Sequence, residues 1–408
     1  MQTTTEAQDG IYVGADLHGN NVFLRGCDEK GNRVMQRRVK ANLEAVNQAL
    51  EPYWSRVRAV AVESTYNWYW FVDGLREQGR EVRLANPAKM EQYSGLKTSD
   101  DASDAGWLAE QLRLGILPEC YVYPREVRPI RDVLRRRMLI VQQRTQTMLS
   151  LQSLFARQGW SWPGVYQIKG WEREQIERLG TDAMTELQAN CLLELMRKQD
   201  GLVKWIESKV MESLKPKGEY ERAKQVPGIG AILGMVVVLE SGEFERFPSA
   251  GDYASYCRTV KSERTSNQKK KGENNRKNGN PYLSWAFAEA AVYAIRHYPR
   301  IQGWYERKKR RSNAPKALRA LACKLAKAMW HVMRGKDFEE GMLLGFAGES
   351  GQPGSGSGKT TGLIGSRAHP AQDLPDKAGL ELQPASASKG LESQTGKGKK
   401  DPGLRQPQ

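Results

Sequence analysis

The 408-residue chain is 39% hydrophobic and 27% charged, with 63 Lys and Arg against 47 Asp and Glu and a formal net charge of +16. That apolar content builds cores for roughly two or three ordinary domains and excludes a wholly disordered protein. So large a positive excess holds a polyanion through counterion release, which makes nucleic acid the leading partner. No apolar run approaches the roughly 18 residues of a membrane span, and Met1 to Gly10 carry no basic-then-apolar signal, so a soluble intracellular protein is expected.

Cys27, Cys120, Cys191, Cys257 and Cys323 are odd in number and never form C-x-x-C, so they support neither a disulfide framework nor a zinc module; free, mostly buried thiols are expected. His18, His297, His331 and His369 are too few and too scattered for a histidine metal centre or a Ser-His-Asp triad. Metal chemistry has to rest on carboxylates.

In chain order, short strands are predicted at Ile11 to Ala15, Asn21 to Cys27 and Arg33 to Val39, a meander broken at Gly19-Asn20 and Asp28 to Asn32. A helix at Leu43 to Tyr53, a buried-type strand at Val57 to Val62, a helix at Trp68 to Gly79 and a strand at Glu81 to Ala85 follow. Trp107, Leu108 and Leu112 recur at helical spacing in Ser103 to Leu114, which ends near Gly115. Arg125 to Gln158 and Thr181 to Leu214 are long helical patterns; in the first, Arg131 and Arg135 are candidate phosphate contacts among several interleaved arginines. Joined by Gly159 to Trp171, the two suggest a projecting antiparallel hairpin or coiled coil, with two ordinary bundle helices as the alternative. Tyr220 to Gly341 reads as mostly helical, interrupted by the polar, basic stretch Lys261 to Pro281. Ala347 to Gln408 has no aromatic residue and predicts a disordered tail. Within it Gly354 to Thr360 is not a phosphate-binding loop, because Pro353 stands where the first glycine belongs and no strand precedes it.

Asp16 and Glu63 each close an apolar strand, while Asp101 and Asp104 lie three apart at a helix start. Carboxylates at the carboxyl ends of neighbouring strands converge on one sheet edge, and an i, i+3 pair adds two more within about 5 to 6 Å of each other. Four hard oxygen donors suit a pair of magnesium ions about 3.5 to 4 Å apart, clamping a phosphodiester for in-line displacement. Each residue also has a plainer reading: Asp101 or Ser99 caps the helix, and Asp16 sits in a turn with His18-Gly19.

Val226-Pro227-Gly228-Ile229-Gly230 has the form of a helix-hairpin-helix, whose Gly228 and Gly230 permit a tight turn and whose second-helix N–H groups bind phosphate; a plain helical turn would use the same residues. Lys269, Lys270, Lys271, Arg276 and Lys277 form a loop able to follow a phosphate backbone, or a solvated flexible one. Trp304 and Tyr305, ahead of the basic run Arg307 to Arg311, offer base stacking, with a solvated helix face as the alternative.

Three segments carry a resemblance: Gly14-Ala15-Asp16, the stretch Val62-Glu63-Ser64-Thr65-Tyr66-Asn67-Trp68-Tyr69-Trp70, and Lys97-Thr98-Ser99-Asp100-Asp101-Ala102-Ser103-Asp104-Ala105. They resemble the metal-binding motifs of the DEDD transposases, insertion-sequence recombinases that include pilin-gene invertases and bridge-RNA-guided recombinases. The resemblance covers most of Gly10 to Gly345 and not the tail. Its D-x-x-D-A spacing selects Asp101 and Asp104 over Asp100. Many relatives carry Glu-x-Thr-Gly where this chain has Glu63-Ser64-Thr65-Tyr66, which is similar to one large subgroup instead.

The resemblance implies an α/β, RNase H-like (RuvC-like) domain over 11–124, after a disordered 1–10. A helical hairpin or coiled coil over 125–219, a mainly α transposase domain over 220–346 with a helix-hairpin-helix, and the tail 347–408 complete the expected order. It implies Mg2+ on Asp16, Glu63, Asp101 and Asp104, with Mn2+ able to substitute. It also implies that Ser266, in a Ser-Asn context ahead of a basic loop, is the nucleophile of a covalent phosphoserine intermediate that needs no nucleotide cofactor. The residues alone leave Ser266 indistinguishable from Ser262 or Thr265. Implied partners are donor and target DNA, an element-encoded bridge RNA, and further copies of the chain in a dimer or tetramer with composite sites, in a bacterial cytoplasm at the nucleoid. The rival readings are a RuvC-like nuclease or junction resolvase using metal-activated water, and a nucleic-acid-binding protein without catalysis.

Overall fold

In the computed structural model the described residues are 10–90, 100–213, 218–261 and 278–344, with the backbone of Arg264–Ser266 and Lys269–Gly272. The expected disordered ends, Gly10 apart, and Arg276 and Lys277 lie outside the described residues, as do the side chains of Ser266, Lys269, Lys270 and Lys271. Contacts divide the chain into two compact units, one formed by residues up to 141 and from 202 onward, the other by 142–201.

Period-two alternation builds the first sheet. Strands β1 (Ile11–Leu17), β2 (Asn21–Asp28) and β3 (Arg33–Lys40) form an antiparallel meander, with Asp16 opposite Phe23. Helix α1 (Leu43–Leu50) starts at Asn42, whose side chain accepts from the Ala45 N–H at 2.8 Å. It stops short of the predicted Tyr53, because Pro52 opens a 3-10 turn over Glu51–Tyr53. Strand β4 (Val57–Glu63) runs parallel to β1 and to β5 (Val82–Ala85), with α2 (Tyr69–Glu77) crossing between β4 and β5. The resulting order β3-β2-β1-β4-β5, a mixed five-stranded sheet, fits the expected RNase H-like domain.

The two faces of this sheet differ. Ile11, Val13, Ala15, Val60, Val62, Val82 and Leu84 join one large apolar core with residues of α1 and α2. The alternate residues Gly14, Ala61 and Ala85 are small, and α3 (Asp101–Arg113) lies over them, with Leu108 packed on Ala61 and Ala85. Gly14 is what permits this approach, since a Cβ there would stand 1.9 Å from the Ala105 carbonyl oxygen. Gly14→Ala is therefore expected to push α3 off β1, destabilise the chain by about 3 kcal/mol, and weaken divalent-metal binding; thermal unfolding and metal titration check both.

Helices α4 (Arg128–Arg157) and α7 (Ala183–Ser213) each span the boundary between the two units. In the unit 142–201, the outer halves of these helices pack together, with Leu151, Leu154 and Phe155 meeting Ala189, Leu193 and Met196. The predicted joining segment holds two short helices, α5 (Val165–Lys169) and α6 (Arg173–Glu177), which contribute Ile168 and Ile176. Trp160, Trp162 and Trp171 surround the Phe155 ring at 5.3, 5.3 and 5.7 Å between centroids. Asp200 pairs with Arg144 and Lys169.

After α7 the chain is mainly helical: α8 (Gly218–Ala223), α9 (Ala231–Ser241), α10 (Ala250–Tyr256), α11 (Pro281–His297), α12 (Pro299–Arg310), α13 (Ala314–Met333) and α14 (Gly341–Leu344). Its core includes Tyr253, Phe287, Leu321 and Met329. The segment read as an irregular polar loop contains an antiparallel hairpin of β6 (Arg264–Ser266) and β7 (Lys269–Gly272), with Ser266 paired to Lys269. All five cysteines are free; Cys27 and Cys257 are buried and Cys191 is exposed. Among the described residues, no helix is long and apolar enough to cross a membrane.

Candidate active site

Alternation decides where the strand carboxylates point. Asp16 follows Gly14 by two on β1, and Glu63 follows Ala61 by two on β4, so both share the face that receives α3. The parallel register, Ala15 beside Val62, brings the two strand ends together. Helix α3 begins at this edge. Asp100 is its N-cap, accepting from the Ser103 N–H at 2.8 Å while its own N–H donates to Ser103 Oγ at 2.8 Å. These hydrogen bonds hold the Asp100 carboxyl below its usual range and leave Asp101 and Asp104 in the first turn on the sheet side. The cap is thus Asp100, not Asp101. Asp100→Ala is expected to lower the melting temperature slightly and to leave divalent-metal binding within about twofold of wild type, as calorimetry would read.

Like charges crowd this edge. Burial, with repulsion from Asp101 and Asp104, raises the Asp16 carboxyl above its usual range, although His18 opposes the rise. Burial, Asp16 and Asp104 raise Glu63 in the same way, and burial, Asp101 and Asp100 raise Asp104. The edge therefore carries a surplus of negative charge with no lysine or arginine among the causes of these shifts.

The histidine count argued against a histidine at such a site, yet His18 is there. Its Nε2 lies 3.0 Å from Asp16 Oδ2 and 3.2 Å from Asp101 Oδ1, and the three donor atoms lie within 4.8 Å of one another. Despite these distances the buried Nε2 makes no well-aligned hydrogen bond. A signal for it existed: continuing the β1 alternation beyond Leu17 puts His18 on the face of Gly14 and Asp16.

Other expected contacts have different fates. Arg131 and Arg135 were expected to meet phosphate, but both are committed to Glu240 of α9. Arg131 Nε reaches Glu240 Oε2 at 3.1 Å, and Arg135 bonds both oxygens at 2.5 and 2.8 Å. Glu240, with a side chain only 3% exposed, also accepts from Asn280 Nδ2 at 2.7 Å. Neighbouring Arg128 grips Asp73 of α2 at 2.7 and 2.8 Å and donates from Nε to the Tyr123 carbonyl at 2.6 Å. Gly228 is buried, with φ +83°, and a Cβ there would stand 2.0 Å from the Ala290 carbonyl oxygen, so close packing on α11 explains this glycine. Gly230 is exposed as the N-cap of α9. Tyr305 is buried and Lys324 covers Trp304 at 5.4 Å, which removes the expected stacking pair; Arg307 to Arg311 form an exposed face.

Comparison with known proteins gives these features a context. Residues 13–157 match the model of the IS110-type DEDD transposase domain, described as "Transposase", and residues 220–306 match that of the "Transposase IS116/IS110/IS902 family". The protein is a DNA transposase, a recombination enzyme of an insertion sequence. More narrowly, the chain belongs to the IS110 family of DEDD transposases. It is similar to the transposase for insertion sequence element IS1111A of Coxiella burnetii (strain RSA 493 / Nine Mile phase I), with 21% identity over 338 residues, covering 80% of this chain and 90% of that protein. DEDD membership implies a divalent metal ion. The mutually repelling carboxylates and the orphaned His18 Nε2 fit one, because a cation would relieve both.

Proposed function

We propose that this transposase cuts and rejoins DNA with Mg2+ held by Asp16, Glu63, Asp101 and Asp104 and with Ser266 as nucleophile. The observation that carries the reading is the gathering of acidic side chains from β1, β4 and α3 at one sheet edge, where burial first and acidic neighbours second raise the carboxyls of Asp16, Glu63 and Asp104. Bound there, the ions would supply electrophilic stabilisation of the scissile phosphate and of its entering and leaving oxygens. The carboxylates would hold those ions and, through them, fix the position of the phosphate. Ser266 attacks phosphorus through Oγ and displaces one DNA strand, so a phosphoserine ester replaces the phosphodiester. A strand hydroxyl then reverses the step, rejoining DNA and freeing the serine without ATP. The basic sequence around Ser266, including Lys269, Lys270, Lys271, Arg276 and Lys277, supports a phosphate-backbone contact for this segment.

Carboxylates and serine lie in separate matched segments, which supports a composite site in a dimer or tetramer. The α8–α9 turn acts as a helix-hairpin-helix that offers Gly230 and the start of α9 to phosphate. A structured bridge RNA guides donor and target choice, and the enzyme works in the cytoplasm at the nucleoid. Ser266→Ala is expected to abolish covalent protein–DNA adducts trapped under denaturing conditions, while DNA binding stays within about twofold. Wild-type cleavage without any adduct would instead indicate hydrolysis by metal-activated water.

A further inference from the structure

We propose that His18 is a nitrogen ligand of the ion held by Asp16 and Asp101, and that it turns this site toward Mn2+ over Mg2+. The proposal rests on the reading of the carboxylates as metal ligands.

Spacing is the first argument. Neighbouring donors on an octahedral ion with bonds of about 2.1 Å lie about 3.0 Å apart. His18 Nε2 stands 3.0 and 3.2 Å from its two carboxylate oxygens, the separation of donors sharing one ion. The second argument is the bond that is not made. A histidine paired with carboxylates for structural reasons would align an N–H on one of them, yet this buried Nε2 makes no well-aligned hydrogen bond to either, although its closeness still lowers the Asp16 carboxyl.

The third argument is preorganisation. The His18 N–H donates to the Asn21 carbonyl at 2.9 Å, and Asn67 Nδ2 donates to the His18 carbonyl at 3.0 Å. Thr65 Oγ1 in turn donates to Asn67 Oδ1 at 2.8 Å, so the segment after Glu63 fixes the residue after β1. The ring, 43% exposed, reaches the site from a backbone pinned on both sides. Imidazole is a softer donor than carboxylate. Mg2+ demands oxygen and keeps its waters, whereas first-row transition ions accept nitrogen.

The test uses the full chain without DNA, titrated separately with Mn2+ and Mg2+ by calorimetry. The Mn2+ complex is then examined by pulsed electron paramagnetic resonance for nitrogen hyperfine coupling. We expect imidazole coupling in the wild type and none in His18→Ala. We also expect His18→Ala to weaken Mn2+ binding by about tenfold or more, with Mg2+ binding changed less than about twofold. Asp16→Ala is the control on the carboxylates and should lose both ions. Unchanged binding in Asp16→Ala would overturn the carboxylate reading and this proposal with it. Loss in Asp16→Ala, with no nitrogen coupling in the wild-type Mn2+ complex, would overturn the His18 assignment alone, and that measurement needs no histidine variant to fold.

Discussion

Asp101→Ala is expected to lower DNA cleavage by about 10³-fold or more, because metal-assisted charge stabilisation is worth several kcal/mol at 1.36 kcal/mol per decade of rate. Asp101 stands at the head of α3, within 4.8 Å of the donors of Asp16 and His18, so its loss removes a donor from the centre of the cluster. Removing the metal with a chelator should do the same to the wild type, and adding Mg2+ back should restore cleavage only there. Stability should move the other way. Asp16 is raised by burial and by its acidic neighbours. A carboxyl raised on folding favours the native state below its unfolded pKa of about 3.9, and that contribution is lost as pH rises through the folded value. At neutral pH the ionised group is therefore a cost. Asp16→Asn should raise the melting temperature of the metal-free chain by about 1–2 °C, on the order of half a kcal/mol after discounting for solvent screening. Saturating divalent ion should then stabilise the wild type and leave the variant unmoved. A variant that is inactive and also less stable than the metal-free wild type would mean that Asp16 holds the fold rather than an ion.

Glu240→Ala should destabilise the chain by about 3–5 kcal/mol, since it leaves buried Arg131 and half-buried Arg135 without their counter-charge. Burial pushes the Glu240 carboxyl up, but Arg135 and Arg131 outweigh it and hold it below the ordinary range. Its contribution is then full above the unfolded value of about 4.3 and fades as pH falls through the folded one, so wild type and Glu240→Gln should converge in acid. Urea unfolding at several pH values reads both effects. Activity should also fall, because Glu240 holds Asn280, which caps α11 and donates its N–H to the Tyr256 carbonyl at 2.6 Å. Tyr256 and Asn280 flank the segment that carries Ser266, the proposed nucleophile, so loosening this root should lower activity if that proposal holds.

Local pattern made much of the N-terminal domain legible. Strands β1 to β5 follow from alternation and apolar runs, and their predicted bounds differ from the observed ones by one or two residues. Asp16 and Glu63 were visible as acids closing apolar strands, because period two is a property of the chain alone. Local pattern did not choose between Asp100 and Asp101; the family's D-x-x-D-A spacing selected Asp101, and the capping box occupies Asp100 with the helix backbone. The hairpin of β6 and β7 also escaped, since Lys269, Lys270 and Lys271 lack the apolar alternation that marks a strand.

Charge, composition and the order of strands and helices were determined by the sequence itself, for they depend on neighbours a few residues apart. The tertiary structure decided which charges are spent inside the molecule. Arg131 and Arg135 look identical in sequence to arginines that meet DNA, and only folding brings Glu240, more than a hundred positions later, against them. His18 is the opposite case, a lone histidine in composition that the end of β1 and the start of α3 turn into part of a cluster. In both, a long-range approach chooses the partner, and no local periodicity encodes it.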